Sequence, residues 1–314
     1  KVIYQLGDLF DRRKFVNFNT LAECKRYFFD HLHQNGIQLI TLLGNHDIFW
    51  KESLAVNAQS LILGEYDNVT VIDKPTRMHE DNASIDLIPW LCKENENDVF
   101  SFIDNSKSDL CLGHFEIAGF PMYRGMHAEE GLSHDMFAKY ERVLSGHYHT
   151  KSQKGNIHYL GTQFEMTWAD VNDAKYFHVF DTDTRELTKV INPHVLFEKV
   201  IYNDSSTTSD PDEIDTSFAA GKFVKVVVTH KKDFFKFDRF IDRIQKRNPI
   251  EVKIAENYDE FSGEAVTAEM IDAITDTATL MESYVDAVDT DLNKDMIKSK
   301  LRELYTEAQN LELV

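Results

Sequence analysis

Four short polar motifs, each placed directly after an apolar run of strand length, constrain this sequence more than any other feature. The motifs are residues 7–11 (GDLFD), 44–47 (GNHD), 113–114 (GH) and 146–149 (GHYH). In α/β proteins, functional groups collect in the loops beyond the carboxyl ends of the strands. The glycine that opens each motif lets the backbone turn sharply and brings the next side chain close to a site. The pattern therefore predicts an α/β fold in which these loops meet at one functional site.

The surrounding sequence also favours an α/β fold. Apolar runs predict strands at residues 2–6, 37–43, 69–72, 85–88, 109–112, 142–145 and 157–160. Apolar side chains recur at three- and four-residue spacing over residues 20–34, which predicts an amphipathic helix, and Gly36 is expected to end it.

A polar loop over residues 203–215 precedes a second α/β segment. This segment is predicted to contain a strand at 223–229, a helix that begins at Asp233 as its N-cap, and a strand at 250–254. The expected core-facing stripe of the helix consists of Phe234, Phe237, Ile241 and Ile244.

The side chains in the four motifs indicate a metal site. Carboxylate, carboxamide and imidazole groups without thiolates suit ions such as Mn²⁺, Fe²⁺ or Zn²⁺. A carboxylate can bridge two such ions about 3.5–4 Å apart, and ion pairs of this kind hydrolyse phosphate esters. The three cysteines, Cys24, Cys92 and Cys111, are far apart in the sequence and are expected to be buried thiols in a reducing cytoplasm. We therefore predict a two-metal phosphoesterase.

In their order and spacing, the four motifs resemble those of the calcineurin-like metallophosphoesterases. Longer passages resemble the SbcD-type DNA repair nucleases, and most closely the recombination endonuclease subunits of T-even-type phages. These passages are residues 86–92 (DLIPWLC), 120–126 (FPMYRGM), 159–162 (YLGT) and 279–284 (TLMESY). The resemblance extends over essentially the whole chain. It implies a metal-dependent DNA exonuclease or endonuclease that acts in recombination and double-strand-break processing, in the cytoplasm of a bacterial host.

The same resemblance implies a three-part architecture. Residues 1–195 would form the metallophosphoesterase domain, a β-sandwich flanked by helices. Residues 196–262 would form a small α/β domain that caps the DNA, and residues 263–314 a helical segment that binds an SbcC-type coiled-coil ATPase. A homodimer is also expected.

Carried over position by position, the resemblance assigns the metal ligands. They are Asp8, Asn45, His114, His147 and His149. Asp8 would bridge two divalent ions, with Mn²⁺ as the expected ion, and His149 would belong to the second of them. The family's first motif, Asp-x-His, supplies further ligands to that second ion and lies upstream of the GD motif. Since this sequence begins after it, we expect the second site to be incomplete and the activity of this chain to depend on the missing motif.

The resemblance also assigns residues around the ions. His46 would be the histidine that is not a ligand and protonates the leaving 3′ oxygen, and Asp47 would be available to orient its ring. Asp11 and Arg13 match the residues that surround the metal ligands in the family.

Charge is unevenly distributed along the chain. The net charge is −19, which is unusual for a protein that binds DNA, since phosphate contacts dominate DNA affinity. Residues 222–247, however, contain nine Lys and Arg against three Asp. Two readings stay open: a solvated helix face, or a patch that contacts phosphates. The second reading names Lys231, Lys232, Lys236 and Arg239 as DNA-binding residues.

The C-terminal segment has the opposite charge. Residues 256–314 contain fifteen acids against four bases, and their apolar residues recur at helical spacing. Such short amphipathic helices must pack against something, and the resemblance names the ATPase partner. The expected contact residues are Met281, Tyr284, Leu301 and Leu304. No apolar run approaches the roughly 18 residues that a membrane span requires.

Two other functions remain open from the sequence. The first is a phosphoesterase of another substrate class, which would need neither the segment after residue 203 nor the helical tail. The second is an inactive scaffold that keeps the fold as a binding module.

Overall fold

The computed structural model describes residues 1–123, 126–205, 210–256, 285 and 293–310 of the chain. The chain divides into two compact units. The first contains Lys1–Gln163 and Ala174–Asn192, and the second contains Phe164–Asp173 and Pro193–Val314. The main part of the second unit begins at Pro193, close to the predicted domain boundary after residue 195.

The strands of the first unit form two larger sheets and three hairpin pairs. Their bounds are β1 Val2–Gln5, β2 Gln38–Leu42, β3 Ile48–Trp50, β4 Ser53–Asn57, β5 Val69–Ile72, β6 Thr76–Glu80, β7 Ala83–Ile88, β8 Leu110–Gly113, β9 Pro121–Tyr123, β10 Met126–His127, β11 Arg142–Ser145, β12 Ser152–Lys154, β13 Ile157–Tyr159, β14 Tyr176–Phe180 and β15 Leu187–Ile191. One sheet has the parallel order β1-β2-β5. The other has the order β12-β13-β11-β8-β7-β6, in which β13, β11, β8 and β7 are parallel.

Apolar side chains between the two sheets form a shared core. Because successive residues of a strand point to opposite faces, neighbouring residues belong to different cores. In β11, for example, Leu144 packs in the core between the sheets, whereas Val143 packs on the outer face with helix α4 (Glu96–Asp104). The outer face of the first sheet packs against helices in the same way. The result is a β-sandwich flanked by helices, and the predicted α/β fold class is confirmed.

The predicted helix over residues 20–34 is present but begins two residues earlier. It consists of α1 Phe18–Cys24, a π-helical turn Lys25–Phe29 and α2 Asp30–Gln34. The earlier start arises because the side chain of Asn17 caps the helix by accepting from the backbone N–H groups of Asn19 and Thr20. Gly36 follows the helix with φ of +61°, as predicted. A short helix, α3 Ala58–Ile62, completes this side of the sandwich.

The second unit contains a three-stranded parallel sheet in the order β16-β17-β18. The bounds are β16 Phe197–Asn203, β17 Phe223–His230, β18 Glu251–Glu256 and helix α5 Phe234–Gln245. Asp233 is the N-cap of α5, since its side chain accepts from the N–H of Lys236. The predicted strands and the start of the helix are confirmed.

The core-facing stripe of α5 differs from the prediction at one position. The buried residues are Phe237, Phe240 and Ile244, with Ile241 packed against the same core, whereas Phe234 is 63% exposed. These four positions follow the i, i+3, i+4, i+7 spacing of one helix face. Phe234 is on the same side of the helix as Ile241, but it lies in the first turn, where its side chain stays exposed, and the prediction was wrong to include it.

The described part of the C-terminal segment contains helix α6, Lys294–Asn310. Leu301 and Leu304 lie on this helix, whereas Met281 and Tyr284 fall outside the described residues. Among the described helices, none is both long and apolar enough to cross a membrane. Cys92 and Cys111 are buried, Cys24 is half-buried, and all three are free thiols.

Candidate metal centre

Four loops bring polar side chains to one edge of the sandwich. Asp8 follows β1 and Asn45 follows β2, and these strands are parallel neighbours in the first sheet. His114 follows β8 and His147 follows β11, which are parallel neighbours in the second sheet. Since parallel strands end at the same edge, each sheet delivers two side chains to the same place.

The potential ligand atoms of these four residues converge on one point. The Nε2 atom of His114 lies 3.0 Å from Asn45 Oδ1 and 3.2 Å from Asp8 Oδ2. His147 Nδ1 lies 3.1 Å from Asn45 Oδ1 and 3.2 Å from His114 Nε2. The ligand atoms of Asp8, His114 and His147 are all within 4.8 Å of one another. The structure thus brings together the side chains that the sequence analysis assigned to one ion.

Close backbone approaches explain the glycines that open these loops. A Cβ atom on Gly7 would lie 2.3 Å from His114 Nδ1, and one on Gly44 would lie 2.2 Å from Asp8 Oδ1. Asp8 and His147 have φ values of +55° and +81°, in the left-handed region that L-residues rarely adopt. Such backbone strain costs of order 1–3 kcal/mol per residue and clusters at functional sites.

The protonation states suit a cation. His114 Nδ1 lies 2.6 Å from the carbonyl oxygen of Leu6, which can only accept, so Nδ1 carries a proton and Nε2 is the nitrogen that faces the cluster. Burial lowers the pKa of His114, but Asp8 raises it overall, so the ring favours a positive charge that a bound cation would replace. Burial and the nearby His114 lower the pKa of His147 to about 3, so its ring is neutral. Burial alone would raise the pKa of Asp8, but His114 and His46 lower it well below its ordinary value. Once Nε2 of His114 gives up its proton to make way for a cation, the cluster would offer one carboxylate, one amide oxygen and two imidazole lone pairs.

Asp47 organises the loops rather than the ring of His46. Its carboxylate is fully buried and accepts from the backbone N–H groups of Asp8, Gly44, Leu9 and Phe10, at 2.7, 2.7, 3.0 and 3.3 Å. Burial and the adjacent Asp8 raise the pKa of Asp47, and the N–H donors oppose this shift. The two loops that carry Asp8 and Asn45 are thus joined through one carboxylate. We therefore revise the predicted role of Asp47 in orienting His46.

A backbone carbonyl orients His46 instead. Its Nδ1 lies 2.6 Å from the carbonyl oxygen of Asp11, so Nδ1 carries a proton. The backbone N–H of His46 donates to Asp8 Oδ1 at 2.8 Å. Asp11 thus acts here through its backbone, while its exposed carboxylate pairs with Arg12 Nε at 3.8 Å. Within the described part of the chain, one terminal nitrogen of Arg13 is buried without a hydrogen-bond partner.

His149 is close to the cluster but outside the group of three converging ligands that the described residues contain. It is half-buried, and its charge contributes to lowering the pKa of His147. Its carbonyl accepts from the N–H of Thr162 at 3.1 Å and from Lys175 Nζ at 3.2 Å. A second metal site that includes His149 stays a prediction.

Two neighbours of the site were not assigned a role from the sequence. The ring of Trp90 lies against both imidazoles, with centroid distances of 5.8 Å to His114 and 5.3 Å to His147. The side-chain amide of Gln5 holds Gly7 through two hydrogen bonds. It donates to the carbonyl of Gly7 and accepts from the N–H of Gly7. Trp90 could have been noticed in the sequence because it lies in the DLIPWLC passage. Gln5 gave no such signal, because it looks like an ordinary residue of a strand.

The predicted DNA-binding residues lie on the second unit. Three of the four contact an acidic side chain or an aromatic ring. Lys236 Nζ pairs with Asp210 at 2.6 Å, and Arg239 pairs with Asp212 at 3.0 Å. Lys231 Nζ lies 4.7 Å from the centroid of the Phe237 ring, and Lys232 is exposed. The contribution of these four residues to DNA binding stays a prediction, and the ion pairs favour the reading of a solvated helix face.

Comparisons with known proteins agree with this site. The family model described as calcineurin-like phosphoesterase matches residues 1–151, which include all four motifs. The chain is 34% identical to exonuclease subunit 1 of Enterobacteria phage T4 over 307 residues, which is 97% of this chain and 86% of the phage protein.

Proposed function

Because the chain belongs to the calcineurin-like phosphoesterases, we propose that it is a metal-dependent nuclease that hydrolyses phosphodiester bonds in DNA. The observation that carries this proposal is the convergence of Asp8, Asn45, His114 and His147 in a chain of this family. The similarity to a phage exonuclease subunit supports DNA as the substrate.

The residues present fit a divalent cation. Oxygen and imidazole ligands without thiolates suit Mn²⁺, Fe²⁺ or Zn²⁺, and we propose Mn²⁺. One ring nitrogen of each histidine faces the cluster, and the second ring nitrogen of His114 is held by the carbonyl of Leu6, as is usual for metal-binding histidines. When bound, the ion would supply Lewis acidity to the phosphate and to the attacking water. Asp8 and His149 would help to hold a second ion, which is also part of the proposal.

His46 is proposed as the proton donor to the leaving oxygen. Since the carbonyl of Asp11 holds a proton on Nδ1, the protonated ring would deliver its other proton from Nε2. Asp47 would act as a positioning residue, because it fixes the backbone on both sides of the cluster. Trp90 packs against the imidazoles of His114 and His147 and would limit their movement.

Cleavage of DNA tests the proposed function. We expect the protein to degrade an end-labelled linear duplex in Mn²⁺ and to be inactive in EDTA. Hydrolysis of a phosphomonoester, such as p-nitrophenyl phosphate, without cleavage of DNA would instead assign the site to a phosphoesterase of another substrate class.

The C-terminal segment is proposed to bind an SbcC-type ATPase, in a complex that acts on double-strand breaks. On α6, Met296 is 70% and Leu304 is 49% exposed, and amphipathic helices commonly bind through such apolar side chains. Because helical residues of the first unit also expose apolar side chains, such as Phe18 and Tyr27, we include a homodimer in the proposal.

Deleting residues 267–314 is expected to leave a stable nuclease that no longer co-purifies with the ATPase. Isolated helices of this length are marginal in water, so a partner surface would be needed to stabilise them. Leu304→Glu should weaken the same association without truncation. If the deletion lowers the thermal midpoint or solubility of the isolated protein, the segment is part of the core and the proposed tether is wrong.

A further inference from the structure

The three-stranded sheet of the second unit has two unlike faces. Side chains of Tyr202, Val224, Val226 and Val252 pack with α5 on one face. Because side chains alternate along each strand, the residues between them point to the opposite face. A row of lysines crosses that opposite face.

Lys199, Lys225 and Lys253 are register partners on adjacent strands. Lys199 of β16 pairs with Lys225 of β17, which pairs with Lys253 of β18. Neighbouring strands lie about 4.8 Å apart, so this lysine row spans about 10 Å. Like charges placed directly opposite each other on adjacent strands are destabilising. The sheet therefore carries a concentration of positive charge that its own fold does not require.

Aromatic rings lie beside the lysine row. Lys225 Nζ lies 4.4 Å from the centroid of the Trp168 ring. Trp168 packs against Phe197, and Phe197 stacks on Phe223 two residues before the lysines, on the same face of the sheet. Burial and the charges of Lys199 and Lys253 lower the pKa of Lys225 to about 8. A basic surface next to aromatic rings is a common arrangement in proteins that bind nucleic acid strands.

We propose that the lysine row binds the phosphodiester backbone of a nucleic acid strand. The choice of ligand rests on the proposed nuclease function. One strand carries a phosphate about every 3.4 Å along the helix axis, so the row matches the axial length of about three successive phosphate-to-phosphate intervals. Anionic oxygens between the ammonium groups would offset their mutual repulsion.

Lys225, at the centre of the row, differs from the basic residues of α5 in the charges that surround it. Lys236 and Arg239 face the carboxylates of Asp210 and Asp212. At Lys225, by contrast, the charged groups that shift its pKa are both lysines. At the outer end of the row, Lys253 pairs with Glu251, with its Nζ 3.7 Å from a carboxylate oxygen.

The salt dependence of DNA binding tests this proposal. A variant with Lys199→Gln, Lys225→Gln and Lys253→Gln is compared with a control that has Lys74→Gln, Lys107→Gln and Lys246→Gln. The control removes the same charge from exposed positions outside the row. Binding of a fluorescein-labelled duplex is followed by fluorescence anisotropy in EDTA, which prevents cleavage. We expect the row variant to reduce the slope of log affinity against log salt by about 2–3 and the control to keep the full slope. An unchanged slope in the row variant, or an equal reduction in the control, would overturn the proposal.

A second measurement separates ligand binding from a structural role of Lys225. Lys225→Met should weaken DNA binding without lowering the thermal midpoint, because it removes a repelling charge and keeps the length of the side chain. Lys225→Arg should retain binding. A lower thermal midpoint of Lys225→Met, together with weaker binding, would assign Lys225 a structural role and overturn the proposal.

These binding measurements test the lysine row whether or not the protein cleaves DNA. Hydrolysis of bis(p-nitrophenyl) phosphate, which is too small to need backbone contacts, should be unchanged in the row variant. If the wild-type protein binds DNA through the row but cleaves none, the row proposal stands and the nuclease proposal falls.

Discussion

Replacing His46 by alanine is expected to slow DNA cleavage by about 10²–10⁴-fold while metal binding stays largely intact. The His46 ring lies outside the cluster of converging ligand atoms and bonds instead to the carbonyl of Asp11. Its bond to Asp8 comes from the backbone N–H, which alanine retains. Single-turnover cleavage in Mn²⁺ measures the rate, and titration calorimetry measures binding of the ion.

Asn45→Ala is the matched comparison for the His46 variant. It removes an oxygen that lies 3.0 Å from His114 Nε2 and 3.1 Å from His147 Nδ1, so it should weaken metal binding as well as cleavage. If His46→Ala loses the ion as completely as Asn45→Ala, His46 is a ligand or a structural residue, and its assignment as proton donor is wrong.

Asp47→Asn is expected to destabilise the fold strongly and to weaken metal binding. Each carboxylate oxygen accepts from two backbone N–H groups. The amide group that replaces one oxygen cannot accept, so two buried donors lose their partner. At about 1–3 kcal/mol for each buried donor without a partner, the free energy of unfolding should fall by about 2–6 kcal/mol.

Urea denaturation and Mn²⁺ titration measure the two effects of Asp47→Asn. Asp73→Asn is the control, since Asp73 is exposed directly after β5. A variant that keeps wild-type stability, yet loses cleavage, would show that Asp47 acts in the reaction itself rather than through the backbone.

The sequence was sufficient to locate the candidate centre because its signals are local. Asp8, Asn45, His114 and His147 each follow a strand and a glycine, and the carboxyl ends of parallel strands then determine where they meet. The helix that ends before Gly36 was predictable for the same reason, since both its periodicity and its cap lie within a short stretch.

Features that depend on contacts between distant segments were not predictable. The partners of Asp47 include Asp8, Leu9 and Phe10, on a loop that only the fold brings close. The lysine row depends on the register of β16, β17 and β18, which a single sequence does not reveal. The acids that pair with Lys236 and Arg239 lie in a separate loop. Judged from the basic stretch alone, α5 therefore had more unpaired positive charge than the structure shows at these two residues.

Titration of Mn²⁺ into the protein and into His147→Ala most directly tests the central claim, that the side chains converging at the sandwich edge hold the ion on which cleavage depends. His79→Ala is the control, because His79 is exposed on β6 and lies outside the ligand cluster. We predict that the wild type and His79→Ala bind Mn²⁺ and cleave DNA alike, whereas His147→Ala loses both properties together. Binding of Mn²⁺ by His147→Ala at wild-type affinity, with cleavage retained, would contradict the account.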